Sequence, residues 1–524
     1  MWWTQRLFAG GKILVQRERQ IVQELLDLGC GEFVVCGGAR NAGLVALLEA
    51  AGGIRVWRHF EERSAAFFAL GRTKDSGRPC AVVTTSGTAV AECLPAVIEA
   101  FYSAKPLVIL SADRPENFRG SGAPQTIEQE NLFGDYAGKD PANWNGRSPL
   151  HVNVSVEEGK VRVDEWVAEV AEFSPVRLSF EVRKLRDFLD GGVFRGLVAM
   201  VGGLEEEERE ETYYFLKELG IPVIADVTSG LREALAGQVI SEKVLRGNFP
   251  GRILRLGEVP VGRLWRDLES SPGTEVLSIC QNGLPGLARE SFVIRGELNR
   301  VLKGLGEAEE VGDVRDDFLK ARPIAGKVDE LLEAYPDSEP GLVRLLSVYA
   351  TTGESLFLGN SLPIREWNDF AQRDTPYALV RANRGANGID GQLSTWLGAS
   401  ANTPDSWGVF GDLTTLYDLA APSLLGQVAQ EGRVLVVINN GGGRIFDRLP
   451  RLESLSGEQR KAVVQPQEVD LKSWAGMWGM AYAKVNRRED FDQLDEIELE
   501  NQTLVLEIAP SGSQTEAFWS AYHE

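Results

Sequence analysis

The chain reads as an α/β protein of three doubly wound parallel-sheet domains, on three observations. Short β-branched runs alternate with helical stretches from one end to the other, the pattern of parallel βα units. These runs read as buried strands, and each leads into a loop or a helix. At 524 residues the chain also exceeds what one hydrophobic core can organise.

In chain order, GEFVVCGG, PCAVVTTSG and PLVILSADRP read as strands of a first block. A further strand stops near residue 60, where RHFEERSAAFFALGRTK turns into an apolar helix. TAVAECLPAVIEAFYSA has helical periodicity behind a Ser-Gly-Thr start. Charge and glycine rise around residues 186–196, and LVAMVGG then opens a second block with PVIADV, RILRLGE and EVLSICQ. A polar, helical connector near 305–338 leads to a third: SLFLGN, YALVRANRG, SWGVFGD, RVLVVINN and QTLVLEIAP. Domains at 1–190, 191–337 and 338–524 follow. No repeat is visible in the sequence, yet the three blocks share one grammar.

Composition narrows the function classes. With 43% apolar and 8% aromatic residues, there is ample core material and no case for disorder. The formal charge of −21 argues against nucleic acid or an anionic membrane surface as the main partner. Small anionic substrates stay open, because a local arginine cluster outweighs distant charge that salt screens within ~8–10 Å. The five cysteines form no CxxC pair or zinc spacing and read as buried free thiols of a reducing compartment. The N-terminal MWWTQRLFAGGKILVQRERQ lacks a signal-peptide core, and no run approaches the ~18 apolar residues of a membrane span. A cytoplasmic protein is expected. Only His59, His151 and His523 are present, and none lies in a hydrolase or metal motif. Carboxylates, arginines or a cofactor are left to do any chemistry.

Ligands of such sheets bind in the loops after the strands' carboxyl ends. Those loops are CGGARN, TTSGTA, ADRPEN, GNSLPIRE, NRGANGIDG, FGDLTTLYD and INNGGGRIF. Two features at strand ends carry chemistry. Glu61 and Glu62 stand at a strand–helix junction, either as first-turn acids or with one of them as a poorly hydrated proton carrier. GDL at 411–413 and NNGGG from 439 are separated by a helix (LYDLAAPSLLGQVA) and a strand (RVLVVI). That αβ unit brings the chain back beside Asp412. A carboxylate, an amide oxygen and glycine-exposed carbonyls then surround one point, a donor set suited to Mg²⁺ and a diphosphate.

GDL followed by NNGGG at this spacing resembles the thiamine diphosphate signature, and HFEERSAAFFALG and TTSGTAVAECLPAV resemble the segments that meet the cofactor's pyrimidine. CGGAR, ADRPEN, GAPQTIEQ, GNSLPIRE, NRGANGIDG and NNGGGRIFDRLP narrow the resemblance to one branch. That branch is the 2-succinyl-5-enolpyruvyl-6-hydroxy-3-cyclohexene-1-carboxylate synthases of menaquinone biosynthesis (the MenD family). The likeness covers nearly the whole chain and is weakest in the middle block. It implies domains of the thiamine diphosphate-enzyme type and a transferase that decarboxylates 2-oxoglutarate and adds the succinyl carbanion to isochorismate. It also implies a homodimer or homotetramer in which each active site joins two subunits.

Residue by residue, the resemblance gives Glu62 the pyrimidine nitrogen, with Glu61 as its first-turn neighbour, and puts Ser86 and Gly87 at the cofactor. Ile389 matches the apolar residue that bends the cofactor. Asp412, Asn440 and the Gly442 carbonyl would hold Mg²⁺ or Mn²⁺. Ser361, Arg365 and Arg384 match the distal-carboxylate site for 2-oxoglutarate, where arginine's planar fork suits a carboxylate. Arg40, Gln125 and Arg263 match the isochorismate side, and Ile445, Phe446 and Leu449 the apolar wall over the intermediate. Two departures stand out: Ala39 where relatives carry serine, and Leu264 where some carry a second basic residue. Both bear on the second substrate and leave cofactor chemistry untouched. Rival readings are another thiamine-dependent decarboxylase or carboligase, such as an acetolactate-synthase relative, and a non-catalytic nucleotide-binding homologue. Paired Arg365 and Arg384 argue against the first, and Glu62 with Asp412 and Asn440 against the second.

Overall fold

The computed structural model describes residues 17–156, 161–190, 196–245, 247–306, 324–449, 452, 454–497 and 501–523. The first sixteen residues, part of the boundary expected at 186–196 and half of the connector expected at 305–338 lie outside them. Ile324–Ala334 at the connector's end is helical.

Among the described residues three all-parallel sheets of five or six strands form, beside a two-stranded parallel pair of Ala51–Gly52 with Trp166–Val167. The first runs Arg55–His59, Glu32–Cys36, Cys80–Thr84, Leu107–Asp113, Leu150–Ser155; the second Val223–Ala225, Leu197–Val201, Arg252–Leu256, Glu275–Cys280, Phe292–Arg295. The third runs Val380–Arg381, Ser355–Leu358, Ser406–Gly411, Val434–Ile438, Leu504–Ile508, Ala481–Val485. In chain order each therefore begins second, first, third, fourth. This is the doubly wound arrangement, in which the crevice opens where the winding reverses, between the first and third strands. The shared grammar of the sequence is a shared topology. Leu150–Ser155, Phe292–Arg295 and Ala481–Val485 are strands that the sequence reading passes over.

Two helical expectations are corrected. TAVAECLPAVIEAFYSA forms two helices, Thr88–Glu92 and Leu94–Tyr102, because Pro95 has no N–H for residue 91 and its ring crowds that carbonyl. LYDLAAPSLLGQVA is not one helix. The helix from Asp412 stops at Tyr417, and Ala421–Gln427 follows as a 3₁₀ segment with Pro422 in its first turn.

The described residues divide into two compact units. One takes in residues 17–177, as far as they are described, with Gly385–Asn402 and Tyr417–Ala429. In it the helices Glu62–Ser76 and Gln392–Ala399 cross backbone to backbone at glycines: a Cβ on Gly71 would lie 2.2 Å from the Thr395 carbonyl, and one on Gly398 2.1 Å from that of Phe68. The other holds the second and third sheets. There Arg232, 2% exposed, donates from the second block to the carbonyls of Trp367, Asn368 and Gln372 in the third. All five cysteines are buried and free.

Candidate active site

The two acids at the strand–helix junction separate. Glu61 is the N-cap of Glu62–Ser76 and accepts from the Arg63 and Ser64 N–H groups at 3.1 and 3.0 Å, satisfying two of the helix's orphan donors. Glu62 is the first helical residue, half-buried and not used in capping. Burial raises its carboxyl above the ordinary value, with Glu61 and Glu92 adding to the rise. The helix start is anchored by Asp418, fully buried, which accepts from Ser64 Oγ at 2.8 Å and from Ser394 N and Oγ at 2.7 and 3.0 Å. Asp418 thereby ties the Glu62 helix to the segment that follows Ile389. Buried Glu99 holds the loop before Ile389 by accepting from the Gly385 and Ala386 N–H groups at 2.8 and 2.6 Å. Ile389 itself is half-buried.

Ser86 and Gly87 follow the strand Cys80–Thr84. Ser86 Oγ donates to the Gln125 carbonyl at 2.8 Å, and the Gly87 N–H to Gln129 Oε1 at 3.1 Å. Gln125 has φ 56° and an exposed side chain. Gln129, 1% exposed, also donates to Asn153 Oδ1 at 2.7 Å, so the last residue of GAPQTIEQ, to which the sequence gives no role, sets the shape of this strand end. Arg40 is half-buried in the turn before the helix Ala42–Glu49, with Ala39 exposed beside it.

In the second unit the strands Ser406–Gly411 and Val434–Ile438 pair with Gly411 opposite Ile438, so Asp412 and the NNGGG turn leave adjacent strand ends. Asp412 is 3% exposed. Its Oδ1 accepts from Leu413 N and its Oδ2 from Gly442 N and from Gln467 Nε2, each at 2.6 Å. Gly442 has φ 124°, and a Cβ there would meet the Val464 and Gln465 carbonyls at 2.8 Å, so the turn needs glycine. Its carbonyl accepts from Arg444 N at 2.8 Å. Asn440 donates through Nδ2 to Glu339 at 2.9 Å, while its buried Oδ1 has no hydrogen-bond partner. Ile445 and Phe446 lie on the 3₁₀ turn Arg444–Arg448 and Leu449 just after it, all half-buried.

The cations of the third block gather after Ser355–Leu358. Ser361 caps the helix Leu362–Phe370 with φ 76°, and Arg365 Nη1 donates to its carbonyl at 2.5 Å. Arg384, 7% exposed, donates to Asn360 Oδ1 at 3.0 Å. Desolvation first and the Arg384 charge second lower the Arg365 pKa. Arg263 opens the helix Arg263–Asp267 and forms an i,i+4 pair with Asp267 at 3.3 Å. Leu264 is fully buried in a hydrophobic cluster.

Residues 17–132 match the model described as thiamine pyrophosphate enzyme, N-terminal TPP binding domain. A solved benzoylformate decarboxylase from Polynucleobacter necessarius aligns over 95% of this chain and 98% of its own, with a TM-score of 0.72 at 13% identity. At that identity the likeness is one of fold. A 2-succinyl-5-enolpyruvyl-6-hydroxy-3-cyclohexene-1-carboxylate synthase from Akkermansia muciniphila is 47% identical over 93% of this chain and 95% of its own length. The chain belongs to that synthase family. A second member, from Bdellovibrio bacteriovorus, is 37% identical over 96% of this chain and 97% of its own length. The structure adds Gln467 on Asp412, Glu339 on Asn440 and Glu99 on the loop before Ile389, three polar side chains outside every site motif and more than ten residues in sequence from the group they hold. Asn360 on Arg384 and Asp418 on Ser64 and Ser394 lie within GNSLPIRE and FGDLTTLYD, where the sequence gives them no role.

Proposed function

We infer that this chain is a thiamine diphosphate-dependent decarboxylating synthase of menaquinone biosynthesis. It converts 2-oxoglutarate and isochorismate into 2-succinyl-5-enolpyruvyl-6-hydroxy-3-cyclohexene-1-carboxylate and CO₂. The observation that carries this reading is the 47% identity, spread over 93% of the chain, to a synthase of that name.

Bound thiamine diphosphate would supply an electron sink for the carbanion left when CO₂ departs. The protein's part is position, protons and charge. Glu62 would hold a proton at the pyrimidine nitrogen, a task helped by the burial that raises its carboxyl. Asp412, Asn440 Oδ1 and the Gly442 carbonyl would hold Mg²⁺ or Mn²⁺. They fit such an ion: all are hard oxygen donors, and the buried Asn440 Oδ1 lacks any partner in the protein. Ser86, Gly87 and Ile389 would line and orient the cofactor. Ser361, Arg365 and Arg384 would clamp the distal carboxylate of 2-oxoglutarate, while Arg40, Gln125 and Arg263 would serve isochorismate. Ile445, Phe446 and Leu449 would exclude water from the site. The reading includes domains at 1–190, 191–337 and 338–524, a cytoplasmic location, and a homodimer or homotetramer whose active sites each use two subunits.

The test is CO₂ release from 2-oxoglutarate and from pyruvate, with and without thiamine diphosphate and Mg²⁺. Cofactor-dependent release from 2-oxoglutarate with little from pyruvate is expected. Preference for pyruvate would favour a different carboligase.

A further inference from the structure

Asn439 and Asn440 are neighbours in the NNGGG turn, yet their amides are used differently. Asn439 has both ends engaged: Nδ2 donates to Glu507 at 2.9 Å, and Oδ1 accepts from Gln467 at 3.0 Å. Asn440 has one end engaged. Its Nδ2 donates to Glu339 Oε1 at 2.9 Å, and its buried Oδ1 has no partner. An amide offers a donor at one end and an acceptor at the other. A carboxylate on the nitrogen therefore decides which atom is left over, and here it is the oxygen.

Glu339 is built to do this. It is 1% exposed and opens the helix Glu339–Tyr349. Ser338, fully buried, caps that helix by accepting from Gly341 N at 3.1 Å, and the Glu339 N–H donates to Thr515 Oγ1 at 2.9 Å. The backbone under the side chain is thus fixed on both sides. Arg448 supplies counter-charge, 3.9 Å from Glu339 and 3.5 Å from Glu366, which is also 1% exposed. A flipped Asn440 amide would turn its oxygen toward the Glu339 carboxylate and its NH₂ toward a cation. Both contacts are repulsive.

We propose that Glu339 is a positioning residue for the divalent-metal site, fixing the Asn440 amide so that Oδ1 is the atom offered to the ion. This rests on the reading that Asn440 ligates the metal with Asp412. Nothing in the sequence motifs assigns Glu339 a role; the helix start delivers it to the turn from 101 residues away.

The experiment titrates thiamine diphosphate into the full-length protein at fixed Mg²⁺, by calorimetry and protein fluorescence, without substrate. Mg²⁺ half-saturation is measured alongside, and apo thermal melts check folding. Glu339→Gln keeps an acceptor for Asn440 Nδ2 and should bind within about 3-fold of wild type, whereas Glu339→Met should weaken metal and cofactor by ~10- to 100-fold. Asp412→Ala should weaken them at least as much. Wild-type binding by Glu339→Met beside a weakened Asp412→Ala overturns the proposal and leaves the metal reading standing. Wild-type binding by all three overturns the metal reading itself. Should Glu339→Met melt without cooperativity, Glu339→Gln decides: wild-type binding supports the proposal, and a loss of tenfold or more overturns it.

Discussion

Glu61 accepts from the Arg63 and Ser64 N–H groups with its two carboxylate oxygens, while Glu62 takes no part in the cap and is, on the proposed reading, the proton carrier. The two variants should therefore fail in different ways. Glu61→Ala loses a helix cap and should cost ~0.5–2 kcal/mol in urea unfolding, with cofactor-dependent decarboxylation less affected. Glu62→Gln should leave the unfolding midpoint unchanged or higher, since it removes a poorly hydrated carboxylate, while decarboxylation collapses. Full activity in Glu62→Gln would contradict the assignment. The arginines divide in the same manner. Arg384→Ala should slow decarboxylation of 2-oxoglutarate roughly 10- to 150-fold, the loss of one charge-assisted contact worth ~1.5–3 kcal/mol. Arg40→Ala should leave that step nearly intact and impair the use of isochorismate, and Ala39→Ser should affect only the second substrate. Equal damage to decarboxylation by Arg384→Ala and Arg40→Ala would defeat this division. At these positions sequence and structure meet unevenly. Asp412 and Gly442 were legible because a turn that needs glycine leaves glycine in the sequence. Gln467, which shares the Asp412 carboxylate at 2.6 Å, was not, because its contact exists only once the third sheet is wound.

The elements were read from apolar β-branched runs, and that worked where strands are buried on both faces, such as Cys80–Thr84, Leu107–Asp113 and Val434–Ile438. It fails at one edge of each sheet, Leu150–Ser155, Phe292–Arg295 and Ala481–Val485, the last two of which carry exposed residues that blur the pattern. Helices were extended too far across Pro95 and Pro422, whose effect on the ladder outweighed an unbroken apolar periodicity. The helix crossing in the first unit leaves no trace in periodicity at all, since it depends on two glycines from distant segments. Gly398→Ala would bring a methyl to 2.1 Å from the Phe68 carbonyl. Overpacking of this kind costs ~1–3 kcal/mol or more, and here it also shifts the helix that begins with Glu62. The expected outcome is a lower melting temperature together with weaker cofactor-dependent decarboxylation. A variant as stable and active as wild type would show that the crossing gives way without consequence.

Across the molecule, the acid excess of the sequence coexists with a few carboxylates that folding holds against ionisation. Glu208 is the clearest: 5% exposed, it rises from its usual 4.5 to about 7, through burial first and the Glu205 charge second. A carboxyl raised on folding contributes stability that is complete below its unfolded pKa and is lost as pH rises through the folded one. The contribution should therefore fade between about pH 4.5 and 7 and amount to roughly 3 kcal/mol. Glu208→Gln should flatten urea stability over that window, and an unchanged slope would show that Glu208 does not titrate there. The function itself turns on whether the two halves of the proposed reaction are joined in this chain, given Ala39 on the isochorismate side. The direct measurement is mass spectrometry of the products formed from 2-oxoglutarate and isochorismate with thiamine diphosphate and Mg²⁺. A single coupled product bearing the succinyl group, formed with CO₂ and absent when the cofactor is withheld, is predicted. CO₂ and succinic semialdehyde appearing while isochorismate is recovered unchanged would contradict the account.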